Sequence, residues 1–297
     1  MSQLDNLSQA QRERLFYIDF RLYFLGSVNR ADIVTRFGLK EAAASRDLSL
    51  YRNLAPKNLA YDTVVKTYIA HERFKPLFSV SASQALSALL SGLGDDFIGT
   101  PHPLVSCEAP TQLNTPNIDT LASITRAIHN EKVLKIHYRS LSSGLNKREI
   151  VPFALVDNGL RWHVRAYDRA RDRFADFVVN RIETARLLDK TIPEEQTKAA
   201  DNQWNRIVDL HIVPHPKLSH PETIEMEYGM SGGELKLQLR AAVAGYALRI
   251  WNVDCSENHA MNSPAIHLWL KNTQTLCGVE NLMLTPGFNH SENGYES

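Results

Sequence analysis

The sequence has few cysteines and no long apolar run, and each absence excludes a class of protein. Cys107, Cys255 and Cys277 are odd in number and widely spaced among 297 residues. They fit neither a disulfide framework nor a zinc site, so reduced structural thiols are expected. No run of about 18 apolar residues occurs and the N-terminus is polar, so neither a membrane span nor a secretory signal is predicted. We therefore expect a cytoplasmic protein with no membrane partner.

Signatures of enzymes and cofactors are also missing or misplaced. No phosphate-binding loop or dinucleotide fingerprint occurs, so no cofactor is predicted. Residues 229–233 match G-x-S-x-G, but the nucleophile elbow needs a helix next, and the following ELKLQLR alternates like a strand. His211, His215 and His220 lie close together in the sequence, but Pro214, Pro216 and Pro221 exclude the helix that would put His211 and His215 on one face. We predict no catalytic residue and no metal site.

Formal charge is zero over the whole chain but is unevenly distributed. The 33 basic residues balance the 33 acidic ones. Residues 1–80 carry a net +4 and 119–186 a net +5, whereas 81–118 carry −3 and 187–297 carry −6. Two basic modules favour polyanionic partners, although a surplus of this size is also common on solvated faces.

The stretch FGLKEAAASRDLSLYRNLAP at 37–56 is typical of the second half of a DNA-reading helix-turn-helix. A short amphipathic helix is predicted over 29–37, and Gly38 supplies the turn. In the helix that follows, Ala44, Leu48 and Tyr51 fall at i, i+4 and i+7, which predicts one buried stripe. The residues that then point outward are small or basic: Ala43, Ser45, Arg46, Ser49 and Arg52.

Roles on DNA follow from side-chain chemistry. Arg46 and Ser45 are predicted to contact base edges, since arginine can bind guanine through two hydrogen bonds. A structural ion pair between Arg46 and Asp47 is the alternative. Residues 58–69 are predicted to form a two-stranded wing. The residues expected to bind the DNA backbone are Lys40, Ser49, Arg52 and Lys66, with Lys40 an unusual start for a helix.

The predicted helix over residues 10–25 carries two apolar stripes, which implies burial on two sides. One stripe belongs to a core, and a partner chain or a neighbouring domain is needed to cover the other. The aliphatic stripe contains Leu15, Ile18, Leu22 and Leu25, and the aromatic stripe contains Phe16, Phe20 and Phe24.

Composition divides the remaining chain. A short helix is predicted near 81–90, a Gly, Pro, Asp and Thr-rich stretch follows to residue 117, and Asn117 or Asp119 is placed to cap the next helix. Alternating strands with a tight turn at Asp157-Asn158-Gly159 then predict an antiparallel sheet or barrel. The predicted domains are residues 1–80, a linker at 81–118, residues 119–190 and a C-terminal domain at 191–297.

Four segments of the middle region, IHYRS (136–140), REIVPFALV (148–156), RWHVRAYD (161–168) and RFADFVVNRI (173–182), resemble a WYL domain. The triad that names this domain is Trp-His-Val here, at 162–164. The N-terminal domain and the tail, with LHIVPHPKL and IEMEYGM, resemble WYL regulators of the BrxR and CapW type. This resemblance implies an α+β fold of a winged helix-turn-helix, an Sm-like β-barrel and a small C-terminal α/β domain.

Regulators of this type are homodimeric repressors associated with anti-phage defence loci, and their WYL pocket is thought to sense a nucleotide or nucleic-acid-like effector. The resemblance therefore implies a ligand-responsive repressor on a pseudo-palindromic operator. Because successive side chains of a strand point to opposite faces, one face of residues 160–168 is expected to pack against the core and the other to face a ligand. The candidate ligand-binding residues are Tyr138, Ser140, Arg148, His163, Arg165, Tyr167, Arg173 and Arg181.

Alternatives to this interpretation remain open at the level of sequence. The alternative is that the arginines form ion pairs with the carboxylates Asp168, Asp172, Asp176 and Glu183 on a solvated face. A different function is a non-regulatory adaptor that holds single-stranded nucleic acid on the Sm-like barrel. Specificity for a duplex separates the regulator from that adaptor, and turnover dependent on Ser231 would be the mark of an enzyme.

Overall fold

A computed structural model describes Leu4, residues 7–91 and residues 113–288 of the chain. Cys107, most of the predicted linker and the last residues of the tail lie outside this part. The chain divides into two units. The first comprises residues 1–154 and 166–191, and the second comprises residues 155–165 and 192–297.

The first unit begins with three helices and a small sheet, which together form the predicted winged helix. A capping box of Ser8 and Gln11 starts the first helix, and Gly26 ends it at φ 84°, a conformation that favours glycine. The helices are α1 (Gln9–Leu25), α2 (Arg30–Phe37) and α3 (Glu41–Leu54). The sheet has the order β1 (Ser27–Val28), β3 (Thr67–Ala70) and β2 (Leu59–Asp62), with antiparallel pairs.

The winged-helix core lies between α1 and the other two helices. Leu15, Ile18 and Leu22 of α1 are fully buried with Ile33 of α2 and Leu48 of α3. Burial of side chains of this size stabilises a fold by about 1.5–3 kcal/mol each. The predicted aliphatic stripe is therefore the surface that holds α2 and α3.

The aromatic stripe of α1 is covered by the same unit. Phe16 packs edge-on against Phe78, with ring centroids 5.5 Å apart. Helix α5 (Ile118–His129) contacts the end of α1, where the Thr125 hydroxyl donates to the Phe24 carbonyl at 2.7 Å. Both stripes are thus buried by other parts of the chain.

Two helices join the wing to the next sheet. Helix α4 (Ala82–Ser91) lies where a short helix was predicted. The cap of α5 is Asn117, whose side chain accepts from the Thr120 amide at 3.0 Å, so of the two predicted caps it is Asn117 that is used.

A five-stranded sheet follows α5, in the order β7-β6-β5-β4-β8. Strands β4 and β8 form an antiparallel pair with a register shift between His137 and Tyr138. Among the described residues β7 and β8 do not pair, so a closed barrel is not found there and closure stays a prediction. The strands are β4 (Val133–Ser140), β5 (Gly144–Asp157), β6 (Trp162–Asp168), β7 (Arg173–Val178) and β8 (Ile182–Leu188).

The second unit contains a mixed four-stranded sheet in the order β10-β9-β12-β11, in which only β11 and β12 are parallel. Its hydrophobic core includes Leu210 of the sheet and Leu248 of the helix at Ala241–Ile250. The strands are β9 (Ile207–Pro214), β10 (Leu235–Arg240), β11 (Val253–Asp254) and β12 (Leu268–Leu270), and the helices are α6 (Asn202–Asn205), α7 (Pro221–Glu227) and α8 (Ala241–Ile250).

Close packing explains one glycine of α8. A Cβ at Gly245 would meet the Asn281 carbonyl oxygen at 2.3 Å, and the Gly245 amide donates to the Asn281 side chain at 3.0 Å. Only glycine allows this approach of helix and loop.

None of the helices in the described residues has the length and apolar character needed to cross a membrane.

Candidate nucleic-acid interface and ligand site

Helix α3 presents one face to the core and another to solvent. Ala44, Leu48 and Tyr51 are buried, as the helical spacing predicts. On the opposite side Arg46, Ser49 and Arg52 are exposed, and Ala43 and Ser45 are half-buried. The outward face therefore carries small and basic side chains, the composition that fits a DNA groove.

Arg46 is not the ion-pair partner of Asp47. The buried Asp47 carboxylate instead binds Arg14 of α1, with Nε to Oδ2 at 2.7 Å and Nη2 to Oδ1 at 3.3 Å. Within the described part of the chain the Arg46 guanidinium has no hydrogen bond or ion pair. Its donors are therefore available to a ligand outside the protein.

The start of α3 agrees with the expectation that Lys40 makes a poor cap. Lys40 occupies the N-cap position without a side-chain hydrogen bond to the helix. Glu41, in the first turn, pairs with Arg30 of α2 at 3.1 Å, and an acidic residue is favourable at that end of a helix. The Lys40 ammonium is exposed beside the helix start.

Ser49 uses its hydroxyl within its own helix. Its Oγ donates to the Ser45 carbonyl at 2.9 Å. Since Ser49 is also exposed, the hydroxyl oxygen can still accept a hydrogen bond.

The wing places Lys66 at its turn. Asp62 closes the turn by accepting from the Val64 amide at 2.8 Å, and Lys66 adopts φ 53°. Tyr61 and Tyr68 face each other across the strands, with centroids 4.9 Å apart. A left-handed conformation at Lys66 sends the chain back into β3, so this exposed ammonium lies at the tip.

A buried polar cluster joins α1 to α3 and to the chain after the wing. Tyr51 donates to the Asp19 carboxylate, which also accepts from the Leu77 amide at 3.0 Å and the Phe78 amide at 3.2 Å. Asn58 donates to the Tyr51 hydroxyl oxygen at 3.0 Å. The cluster fixes the inner face of the helix whose outer face carries Arg46.

Burial dominates the electrostatics of this cluster. Burial raises the pKa of Asp19 from 3.8 to about 6, against the opposing effect of hydrogen bonds from Tyr51, Leu77 and Phe78. Burial also raises the pKa of Tyr51 far above its usual value, and the Asp19 charge adds to that effect. Tyr51 is therefore a permanent donor to this carboxylate at physiological pH.

The candidate ligand residues on β6 are not open to solvent. All seven residues of β6 are buried, so the alternation that predicts one open face fails on this strand. Among the three candidates, His163 stacks on Tyr246 at 5.2 Å and Tyr167 donates to Asp172. A central strand with both faces covered buries every side chain.

Arg165 forms a two-point ion pair inside the second unit. Its Nε lies 2.8 Å from Oδ2 of Asp201 and its Nη2 lies 3.1 Å from Oδ1. The side chains are 5% and 1% exposed. Asp201 also caps α6 by accepting from the Gln203 and Trp204 amides. Sequence reasoning did not identify Asp201, which lies 36 positions from its partner.

Two further candidates also have internal partners. Arg148 pairs with the buried Asp168 at 2.5 Å, so that carboxylate was correctly named among the possible ion-pair partners. The Tyr138 ring is buried against Phe177 with centroids 5.1 Å apart, and its hydroxyl accepts from the Val178 amide at 3.4 Å.

The remaining candidates lie nearer the surface. Ser140 is half-buried and contacts Ser142 through their hydroxyls at 3.2 Å. Arg173 is exposed at the start of β7, and Arg181 is half-buried in a short 3-10 turn. Neither arginine forms an ion pair within the described residues, whereas Glu183 pairs with Arg139 instead. Among the candidate arginines, Arg148 and Arg165 are held in buried ion pairs. Arg173 and Arg181 have no ion pair within the described residues.

The G-x-S-x-G segment lies in a turn between α7 and β10. Gly229, Gly232 and Gly233 all have positive φ, and Ser231 bridges to Glu234. A helix, not a strand, precedes the serine, so the strand, elbow and helix of a hydrolase are not formed here.

Three histidines of the second unit each bind a different carboxylate. His211 lies 3.1 Å from Glu234, His215 lies 3.2 Å from Asp254, and His220 lies 3.0 Å from Glu222. In the described part of the chain no group of three potential ligands is placed to hold a metal ion.

Three family models match the chain in succession. The BrxR transcriptional regulator winged helix-turn-helix domain matches residues 10–91, the WYL domain matches 119–187, and the BrxR C-terminal dimerization domain matches 207–276. The first match covers α1 to α4, and the last covers most of the second unit.

Curated relatives extend the similarity over most of the chain. The DNA-binding transcriptional repressor CapW of Escherichia coli (strain KTE188) is 32% identical over 273 residues, covering 89% of each chain. CapW of Pseudomonas aeruginosa is 34% identical over 275 residues, again covering 89% of each. Both of these relatives carry the name of a DNA-binding transcriptional repressor.

Among solved structures, the proteasome accessory factor PafBC of Arthrobacter aurescens matches with a TM-score of 0.27 and 16% identity. The match covers 81% of this chain, which spans 44% of the PafBC chain.

Three family models that match in succession, together with relatives above 30% identity that are matched over 89% of each chain, show that this chain belongs to the BrxR and CapW family of WYL-domain transcriptional repressors.

Proposed function

We propose that the protein is a homodimeric repressor that binds a specific duplex operator through α3. The observation that carries this proposal is the outward face of α3, where Arg46 is exposed and unpaired within the described residues while Asp47 is held by Arg14. Arg46 and Ser45 are assigned to base edges. Lys40, Ser49, Arg52 and Lys66 are assigned to the DNA backbone, and Ala43 to the surface of α3 that faces the DNA.

A dimer sets the geometry of the operator. The match to a C-terminal dimerization domain supports two copies, and a two-fold dimer places its two α3 helices on a pseudo-palindrome. Half-sites are then expected about 34–36 Å apart, or at a multiple of that spacing. The spacing of protected bases in a footprint measures this directly.

Arg46→Ala is expected to weaken the preference for the native duplex by about 1–3 kcal/mol, since a two-point contact to guanine is worth that much discrimination. The measurement is binding to a labelled duplex from upstream of the protein's own gene, against a shuffled duplex, at near-physiological salt. Arg186→Ala is the matched control, because Arg186 is an exposed arginine of β8 and lies outside residues 10–91, which match the winged-helix model.

Two outcomes would reject the assignment. An unchanged preference in Arg46→Ala would show that this side chain does not contact bases. Equal, weak and steeply salt-dependent binding of both duplexes by the wild type would indicate electrostatics alone. That second result favours the adaptor for single-stranded nucleic acid.

We further propose that the five-stranded sheet belongs to an Sm-like barrel that binds a nucleotide or nucleic-acid-like effector, and that the protein regulates an anti-phage defence locus in the cytoplasm. Family resemblance supports this part of the proposal. Among the eight candidate residues, Arg173 and Arg181 have guanidinium groups without ion pairs in the described part of the chain, and such groups suit phosphate.

The double variant Arg173→Ala/Arg181→Ala is expected to lose at least ten-fold in effector binding, because each charge-assisted hydrogen bond contributes about 1.5–3 kcal/mol. The probes are nucleoside mono- and triphosphates and short single-stranded oligonucleotides, each tested for its effect on duplex binding. Arg139→Ala, which removes an arginine paired with Glu183, is the control.

The two parts of this proposal fail separately. If no probe changes duplex binding by the wild type, the class of effector is wrong. If the wild type responds and the double variant responds equally, the class is right but the two arginines are not its ligands. In either case the double variant should bind the native duplex like the wild type when no probe is present.

A further inference from the structure

An open recess lies at the base of the wing, outside the face of α3 already assigned to DNA. Its volume is about 590 Å³, and the residues that line it are Lys57, Asn58, Arg73, Phe74 and Lys75. Lys57 follows α3 closely, whereas Arg73 and Lys75 follow β3. The wing therefore brings together cations that are separated in the sequence.

The charge of the recess has one sign. Lys57, Arg73 and Lys75 are all exposed, and in the described part of the chain none of them pairs with a carboxylate. Three positive side chains around one concavity raise the local concentration of anions. A phosphate fits this arrangement, since lysine binds it as a point charge and arginine binds it through two donors.

The floor of the recess is fixed by a buried side chain. Asn58 is 3% exposed and binds the Lys75 backbone twice, accepting from its amide at 3.0 Å and donating to its carbonyl at 2.7 Å. The Asn58 carbonyl also accepts from the His71 amide at 3.0 Å. The backbone that carries Lys75 is thus held in place before any ligand binds.

The same asparagine connects the recess to α3. Asn58 donates to the Tyr51 hydroxyl at 3.0 Å, and Tyr51 donates to Asp19. Lys75 therefore has a position defined relative to the helix that carries Arg46. Phosphate contacts set the register of a protein on a duplex, so a cation held in place relative to the reading helix suits that role.

We propose that this recess binds a backbone phosphate of the operator, with Lys57, Arg73 and Lys75 as its ligands and Asn58 as the residue that positions Lys75. The proposal rests on the proposed function, because it needs α3 in the major groove. A backbone phosphate of the duplex that α3 reads is the anion assigned to the recess.

The test is the salt dependence of duplex binding by the full-length variant Lys57→Gln/Arg73→Gln/Lys75→Gln. Each lost phosphate contact reduces the slope of log K against log salt by about 0.9, which corresponds to roughly five-fold weaker binding at 0.15 M salt. The ratio of affinities for native and shuffled duplexes is expected to stay unchanged, since phosphates carry no base sequence. All three side chains are exposed, and circular dichroism confirms folding.

The control removes the same charge from the five-stranded sheet, as Lys135→Gln/Lys147→Gln/Arg186→Gln, three exposed cations. A smaller slope in the wing-base variant alone supports the recess. An unchanged slope, or an equal fall in both variants, overturns it.

The two proposals are distinguished by measuring the slope on both duplexes. If the wild type shows no preference for the native duplex, the proposed function fails. The slope on the shuffled duplex still reports whether the recess binds a phosphate.

Discussion

Asp201→Ala is expected to destabilise the protein by about 3–5 kcal/mol, the largest effect of any single substitution considered for this chain. The substitution removes the carboxylate that binds the buried Arg165 guanidinium at 2.8 and 3.1 Å. It also removes the cap of α6. Burying a charge without its counter-charge is costly, so the guanidinium itself is the main source of the loss. Urea unfolding followed by circular dichroism measures it.

Two further variants make this result decisive. Glu41→Ala breaks an exposed pair with Arg30 and is expected to cost less than about 1 kcal/mol. The double variant Arg165→Met/Asp201→Leu removes both charges and should recover most of the stability. A loss for Asp201→Ala no larger than that for Glu41→Ala would show that the pair is not buried as described.

The Arg165 pair also bears on the ligand site. If Arg165→Ala lowers stability while effector response is retained, the side chain is a structural ion pair and the effector binds elsewhere. If the response is lost at full stability, the ligand role holds. Arg173 and Arg181 are then tested under the same conditions.

Asp19 is expected to make the stability of the winged helix depend on pH. Its pKa is 3.8 in the unfolded chain and about 6 in the folded protein, because burial disfavours the charged form. The folded state therefore binds this proton more tightly. Its stabilising contribution of about 3 kcal/mol is complete below pH 3.8 and is lost as the pH rises through about 6.

The measurement compares the wild type with Asp19→Asn, which cannot ionise. The free energy of unfolding of each is determined from pH 4.5 to 7.5, and their difference removes the titration of all other groups. Asparagine also places donors toward the Leu77 and Phe78 amides, so the variant is expected to be less stable overall. A difference that does not change with pH would contradict the raised pKa.

Local periodicity predicted the winged helix well because its signals lie within single elements. Ala44, Leu48 and Tyr51 recur at the helical period and are buried. Asn117 caps its helix through an amide three positions away. Such features depend on neighbouring residues, which the sequence displays directly.

Burial of β6 was not predictable by the same reasoning. Alternation at Trp162–Asp168 predicts one open face, whereas all seven residues are buried. Whether both faces of a strand are covered depends on segments distant in the sequence. Tyr246, for example, lies 83 positions after His163 and stacks on it.

The partners of the ion pairs also depend on segments that are distant in the sequence. Arg46 and Asp47 are adjacent, but successive residues of a helix point about 100° apart, so Asp47 faces Arg14 and Arg46 faces solvent. Adjacency suggested the wrong pair, and only packing of α1 against α3 supplied the right one.

The sequence by itself determined the family, the winged helix and the composition of the face that α3 presents, because these depend on residue types at short, regular spacing. Tertiary structure decided which arginines remain unpaired and where Lys57, Arg73 and Lys75 converge. Those properties depend on the distance between side chains far apart in the chain, and burial of Asp19, Asn58 and Arg165 is created only when the elements pack.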